Sequence, residues 1–273
     1  MNYTVKELES IARKIRYDIV KMIGPGKTGH LGGSCSIADV VTVLYFYKMK
    51  HDPKNPNMPN RDRFLLSKGH SALVQYAALA ESGYFPVEEL LSLKKMGSRL
   101  QGHPDMIKLP GIEANTGSLG QGLSISAGIA AAGKIDKASY RVYCVVGDGE
   151  IAEGQIWEAA MAAAFYKLDN LVAILDKNCL QATGCIAERF NTNPLNEKWE
   201  SFGWHVIECD GHNIRQIIDG LDKADKVVGK PVIIIANTIK GCGISFAENV
   251  VAFHNGAMTQ EQYDRALQEL GGK

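Results

Sequence analysis

The segment that most constrains this chain runs from residue 147 to residue 178 and reads GDGEIAEGQIWEAAMAAAFYKLDNLVAILDKN. The apolar run Val142-Tyr143-Cys144-Val145-Val146 before it is a short buried strand. The strand stops at Gly147-Asp148-Gly149 and hands over to an alanine-rich helical segment. A second buried strand, 171–176, ends just before Asn178. Asp148 therefore sits at the carboxyl end of a strand, where open parallel sheets hold their ligands. The flanking glycines let backbone N–H groups come close to an anion. Asp148 and Asn178 put one carboxylate and one amide oxygen on the same rim. That set is sparse for calcium but suits magnesium, which keeps positions for water and a ligand's phosphates. Gly-Asp-Gly alone is no more than a strand–turn–helix with a capping aspartate; the asparagine after 28 intervening residues makes the pattern specific.

At 273 residues the chain accommodates one large α/β domain or two small ones. Thirty basic and thirty acidic residues cancel, which removes the electrostatic case for nucleic acid or an anionic membrane as a partner. Any anion binding must be local. Cysteines 35, 144, 179, 185, 209 and 242 show no paired metal-ligand spacing and no disulfide framework. The N-terminus MNYTVKELESIARKIRY lacks the apolar core of a signal peptide, and no apolar run approaches the ~20 residues of a membrane span. The expectation is a cytoplasmic protein in a reducing compartment.

Thr4 and Glu7 make a capping box, and Leu8, Ile11, Ile15, Ile19 and Met22 recur at helical spacing until Gly24-Pro25-Gly26. A glycine-rich loop through Gly29-His30 follows, then a helical run over 37–49. The loop is neither a P-loop nor a dinucleotide fingerprint. Residues 63–66 read as a strand running into Lys68-Gly69-His70, with helices expected through Ala80 and over 86–96. Gly102-His103-Pro104 supplies a further Gly-His pair, and glycine beside an imidazole suits close approach to a ligand. Thr116-Gly117-Ser118-Leu119-Gly120-Gln121-Gly122 opens an alanine-rich helix whose free N–H groups favour a polar or anionic ligand. Residues 181–194 read as a covering loop, 204–209 as a strand, 214–228 as a helix and 232–236 as a strand. Thr259 opens a final amphipathic helix. Strands alternating with helices predict an α/β fold, a doubly wound, mainly parallel sheet in a single domain.

Taken in order, these motifs resemble the diphosphate-binding domain of transketolase-like enzymes, which use thiamine diphosphate. The resemblance spans nearly the whole chain and ends with His254. It implies that Asp148, Asn178 and the backbone carbonyl of Leu180 hold Mg2+, or another divalent cation such as Ca2+ or Mn2+. It implies that Gly149 meets the diphosphate through its backbone, that Asn178, His70 and His254 reach the cofactor, and that Gly117, Ser118 and Leu119 lie near its pyrimidine. His30, His103 and His254 are the implied catalytic and sugar-contacting residues, and Glu153 resembles the acid that links paired cofactor sites across a dimer.

Three departures from the family pattern stand out: Leu31 and Ser118 where proline is common, and Asn255 between His254 and Gly256. The pyrimidine-binding domain, with its activating glutamate, and the C-terminal domain are not matched within residues 1–273. The resemblance thus implies the N-terminal subunit of a split transketolase, working with a C-terminal subunit in an α2β2 assembly on sugar phosphates. Competing readings are a transketolase-like enzyme using a ketose other than the pentose phosphates, the α subunit of a 2-oxoacid dehydrogenase, and a non-catalytic protein that only binds the cofactor.

Overall fold

A computed structural model describes residues 3–271. Five parallel strands form its central sheet: β1 (Arg63–Leu66), β2 (Val142–Gly147), β3 (Leu171–Lys177), β4 (His205–Asp210) and β5 (Val232–Asn237). The order across the sheet is β1-β2-β3-β5-β4. Gly147 of β2 pairs with Asp176 of β3, and Asp176 with Ala236 of β5. The carboxyl ends of the three central strands therefore finish level, and the segments leaving them share one rim.

Both faces of the sheet are covered, so the central strands read as continuous apolar runs rather than alternating ones. Tyr143, Val145, Val172, Ile174, Val232 and Ile234 face one core. They meet α1 (Val5–Ile23), α2 (Leu31–Ser36), α3 (Ala38–Val43) and α4 (Ala72–Glu81). Val142, Cys144, Val146, Ala173, Leu175, Ile233 and Ile235 face the other. There they meet α5 (Gln121–Ile135), α6 (Gly154–Phe165) and a cluster around Trp199 and Trp204. Right-handed crossovers account for the division. The step from β2 to β3 moves one way across the sheet and puts α6 on the second face. The return step from β4 to β5 moves the other way, so α7 (Ile214–Ala224) falls on the first face with α8 (Gln260–Gly271). The doubly wound parallel sheet expected from the sequence is the observed fold.

Local signals hold where they are strong. Thr4 accepts the Glu7 N–H, and the Glu7 carboxylate accepts from the Thr4 N–H, which closes the capping box at the start of α1. They fail where tertiary contacts decide. The helix expected over 86–96 is only the short 3-10 stretch Val87–Ser92. Beyond it the chain folds into a tight loop, with Lys94 at a φ of +58°. The run over 37–49 is α3 followed by a wider turn, Leu44–Lys48. The 214–228 helix stops at Ala224, and the covering loop contains a small hairpin, Leu180–Gln181 against Gly184–Cys185.

Trp199 is fully buried between Trp157 and Trp204 on the second face, at centroid distances of 5.1 and 5.0 Å. Trp199→Ala should cost about 3–5 kcal/mol of stability through lost burial and a residual cavity. Urea unfolding measures this directly; a loss below about 1 kcal/mol would mean that the Trp cluster does not carry this half of the core.

Candidate active site

Four strand ends converge on one cleft. Lys68 follows β1, Asp148 follows β2, Asn178 follows β3 and Lys240 follows β5, and all line a cavity of about 290 Å³. His30, His70 and His254 close it from the first face, and Gly117, Leu119, Gly149 and Leu180 complete the wall.

Beneath the cleft Asp176 is wholly buried. Its carboxylate accepts from Lys68 Nζ at 2.6 Å, Ser36 Oγ at 2.7 Å and Asn178 Nδ2 at 2.8 Å, and also from the Thr238 hydroxyl. Burial works against its charge, but Lys68 and the hydroxyl donors outweigh it and hold the group below the usual carboxylate range. Glu150, also buried, accepts from the Gly120 and Gly147 N–H groups at 2.9 Å each and from the Ser67 hydroxyl. It ties the start of α5 to the ends of β1 and β2.

Asp148 is different. It is 4% exposed and accepts the Gly149 and Cys179 N–H groups at 2.9 and 2.5 Å. Among the described residues it makes no ion pair. Burial, then the nearby Asp176 charge, pushes it up to about 7. Asn178 Oδ1 accepts the Leu180 N–H at 3.1 Å, and Leu180 O accepts from Lys240 Nζ at 2.8 Å. Asp148, Asn178 and Leu180 thus offer three hard oxygens in a pocket whose two lysines, Lys68 and Lys240, are bound to Asp176 and to Leu180 O rather than to Asp148. The set contains one carboxylate only, and no group of three or more His, Cys, Asp and Glu side chains able to hold a metal exists among the described residues.

The imidazoles form a triangle, with centroid separations of 4.9 Å for His30–His70, 5.5 Å for His30–His254 and 5.3 Å for His70–His254. Burial first, then Lys94, His103 and Lys240, holds His30 at about 4; burial, then Lys240, His30 and Lys68, holds His254 at about 4; and burial, then Lys68 and the two other rings, pushes His70 lower still. All three are neutral near pH 7. His254 Nδ1 is buried without a hydrogen-bond partner, an atom poised for a ligand.

Comparison with known proteins bears on this geometry. The family described as "Transketolase, thiamine diphosphate binding domain" matches residues 6–273. The chain belongs to the transketolase family. It is 47% identical over 264 residues to a 6-deoxy-6-sulfo-D-fructose transketolase subunit of Clostridium sp. (strain MSTE9), covering 97% of this chain and 96% of that protein. It is 43% identical over 266 residues to an apulose-4-phosphate transketolase subunit of Phocaeicola vulgatus, covering 97% and 94%. Among solved structures, transketolase from Campylobacter jejuni superposes with a TM-score of 0.92 at 33% identity, over 99% of this chain and 43% of that one.

Within this transketolase fold, most residues singled out from the sequence come together, and three stand apart. His103 is exposed at the rim of the cleft, its ring lodged against Gly117, where a Cβ would come within 2.8 Å of Cδ2. Gly117 also has a φ of +155°, so this approach demands glycine. Ser118 is exposed. Glu153 lies at the exposed start of α6, its Cβ close against Gly120. The Gly149 N–H is already donated to Asp148. The sequence reading gave no role to Lys68, Asp176 or Lys240. Each lies in or just beyond a strand's carboxyl end, a position that by itself does not separate them from an ordinary polar strand terminus.

The neutral histidines yield a pH expectation. As pH falls from the ordinary value of 6.5 toward about 4, an unfolded chain takes up protons before His30 and His254 do. Stability is therefore fully present above 6.5 and declines across that window. Long-range 1H–15N spectra should show both rings neutral from pH 8 down to 5. A midpoint near 6.5 for either ring would refute this account of the cluster.

Proposed function

We propose that this chain is the cofactor-binding subunit of a two-polypeptide transketolase. The reaction is transfer of a two-carbon ketol unit from a ketose to an aldose, with thiamine diphosphate and a divalent cation, Mg2+ or alternatively Ca2+ or Mn2+. The observation that carries the reading is the meeting of an unpaired buried carboxylate, two further oxygens, two lysines and three neutral imidazoles in one cleft.

The residues present fit the group. Asp148 lacks a cation partner, and Asn178 Oδ1 and Leu180 O are hard neutral donors of the kind magnesium takes beside a diphosphate. Glycines keep the approach open: a Cβ on Gly33 would meet Ser71 Oγ at 2.8 Å, with His70 Nε2 nearby. Lys240, on giving up Leu180 O to the cation, would be free to pair with the diphosphate, as would the Gly149 N–H on leaving Asp148. His70 and His254 reach the diphosphate side, and Gly117, Ser118 and Leu119 border the pyrimidine. Bound thiamine diphosphate supplies the electron sink for carbon–carbon cleavage. The chain's own residues supply positioning and proton management. Neutral His30 and His254 each accept a proton at one ring nitrogen and donate at the other, beside the carbonyl where charge develops. His103, at the rim, holds a donor hydroxyl.

The partner is a C-terminal transketolase subunit carrying the pyrimidine-binding domain and its activating glutamate, in an α2β2 assembly. Support comes from relatives named as subunits, over 94–96% of whose length this chain aligns. The outer sides of α5 and α6 add to it, with Ile135 81%, Met161 54% and Phe165 78% exposed. Glu153, exposed at the start of α6, would link the paired sites. The relatives' names, one a sulfofructose and the other an apulose phosphate, make an anionic ketose other than the linear pentose phosphates an equal candidate for donor. No helix among the described residues is long and apolar enough to cross a membrane.

Three outcomes test the reading. Asp148→Ala should abolish joint binding of thiamine diphosphate and Mg2+ in calorimetry while the circular dichroism spectrum is unchanged; retained affinity would sink the metal assignment. Mixed with its partner subunit, the chain should transfer ketol units, and failure across phosphorylated and sulfonated ketoses would reject the function. In that assembly His30→Ala should lower kcat ~100-fold or more, whereas His103→Ala should chiefly raise the donor KM. A His30→Ala enzyme with normal kcat would make the loop a binding element only.

A further inference from the structure

Lys94 lies between two of the loops that border the proposed sugar site. Its Nζ lies 3.4 Å from Thr28 O, two residues before His30. Its Cε lies 3.4 Å from the point a Cβ on Gly102 would occupy, next to His103. The loop that presents it is built rather than loose. The Lys94 N–H donates to Leu100 O at 2.9 Å, and the Ser92 and Ser98 hydroxyls meet at 2.7 Å. Arg99 binds Glu89 through two contacts, at 2.5 and 2.9 Å. Lys94 itself holds a left-handed φ of +58°, a conformation uncommon for a residue with a side chain.

The charge on this loop is unbalanced. Lys94 and Lys95 line an open cleft with Lys108, and none of the three has an ion-pair partner among the described residues. Arg99, in the same cleft, is committed to Glu89. Three ammonium groups without carboxylate partners thus share one open cleft, a local positive charge of the kind that attracts an anion. The ammonium of Lys94 is the one that also reaches the His30 and His103 loops.

We propose that Lys94, assisted by Lys95 and Lys108, is a specificity-determining residue that binds the anionic tail of the sugar, a phosphate or a sulfonate. The inference rests on the ketol-transfer reading above and assigns a recognition role to this chain. Lysine suits the task as a compact charge without a fixed fork, so it accepts tetrahedral oxyanions of either kind. With its carbonyl beside His30, a donor would carry its tail on the carbon farthest from the reaction, and Lys94 borders both the His30 and the His103 loops.

The test compares wild type, Lys94→Asn and Lys94→Arg in the assembled, cofactor-loaded enzyme. Asparagine tolerates the left-handed backbone, so the loop is retained. Two donor pairs separate the sources of the anion: xylulose 5-phosphate against xylulose, and 6-deoxy-6-sulfofructose against 6-deoxyfructose. In Lys94→Asn the preference in kcat/KM for the charged member of the physiological pair should fall roughly tenfold, mostly through KM, as expected for one lost charged hydrogen bond. Lys94→Arg should restore much of it, and the pair that responds names the tail. An unchanged preference in both pairs, or an equal loss on charged and neutral sugars, overturns the proposal. If the wild-type assembly turns over neither pair, the ketol-transfer reading fails separately. The anion site is then read by calorimetric titration of xylulose 5-phosphate and of 6-deoxy-6-sulfofructose into the thiamine diphosphate-loaded chain. Weaker binding of either by Lys94→Asn supports the site; equal binding of both refutes it.

Discussion

The buried ion pair between Asp176 and Lys68 is the constraint on which the rest of the site depends. Asp176 lies at the end of β3, Lys68 just beyond β1, and β2 runs between those strands. The pair therefore bridges over the end of β2, where Asp148 emerges. Its other partners reach further: Ser36 anchors α2, Thr238 the segment after β5, and Asn178 its own following turn. Lys68 also donates to Gly33 O at 2.7 Å, which fixes α2, the helix that follows His30. Removing one member of such a pair leaves an uncompensated buried charge and costs about 3–5 kcal/mol. Few single contacts could hold four chain segments in register so firmly. The pair thus specifies the rim's geometry more than it adds net stability.

Asp176 and Asp148, on adjacent strands, show how one fold sets two carboxylates to opposite tasks. Asp176 has a cation and hydroxyl donors and stays ionised. Asp148 has two backbone N–H groups and no cation, and its neighbour's charge adds to the cost of burial. A fully paired Asp148 would have little to gain from a metal. The structural carboxylate consumes the nearest lysine, and that leaves the other one open. Lys240 completes the pattern. Burial and the nearby Lys68 pull its ammonium down to about 8, so it remains mostly charged at neutral pH while bound to a carbonyl it can give up. The same two lysines help to keep His70 and His254 neutral, so these imidazoles do not add to the positive charge of the cleft.

What the sequence made legible follows from the range of the interactions involved. Residues 142–149 and 171–178 carry strand and turn in one continuous stretch, so Asp148 and Asn178 could be put at strand ends on one rim without tertiary knowledge. His30, His70 and His254 were found as members of an ordered motif series, and the fold brings them to within 5.5 Å of one another. Asp176 could not be singled out, since it reads as the polar end of an apolar strand until Lys68, 108 residues earlier, is brought beside it. Lys240 depends on the register between β3 and β5 in the same way. The helix expected over 86–96 failed for a related reason: Arg99–Glu89 and the Ser92–Ser98 hydroxyl contact pull the chain into a loop that no local propensity encodes.

That lost helix also matters for function. A continued helix through Met96 would present Lys94 and Lys95 on a regular spiral, without the backbone reversal that now turns Lys94 toward Thr28 and Gly102. The left-handed residue and the double Arg99–Glu89 contact keep one cation committed and free another beside the cleft. The same division appears at the strand ends, where Lys68 is committed and Lys240 remains exchangeable. Here, as there, the structural pair fixes the geometry, and the group left without a carboxylate is the one able to meet an anion from outside the chain.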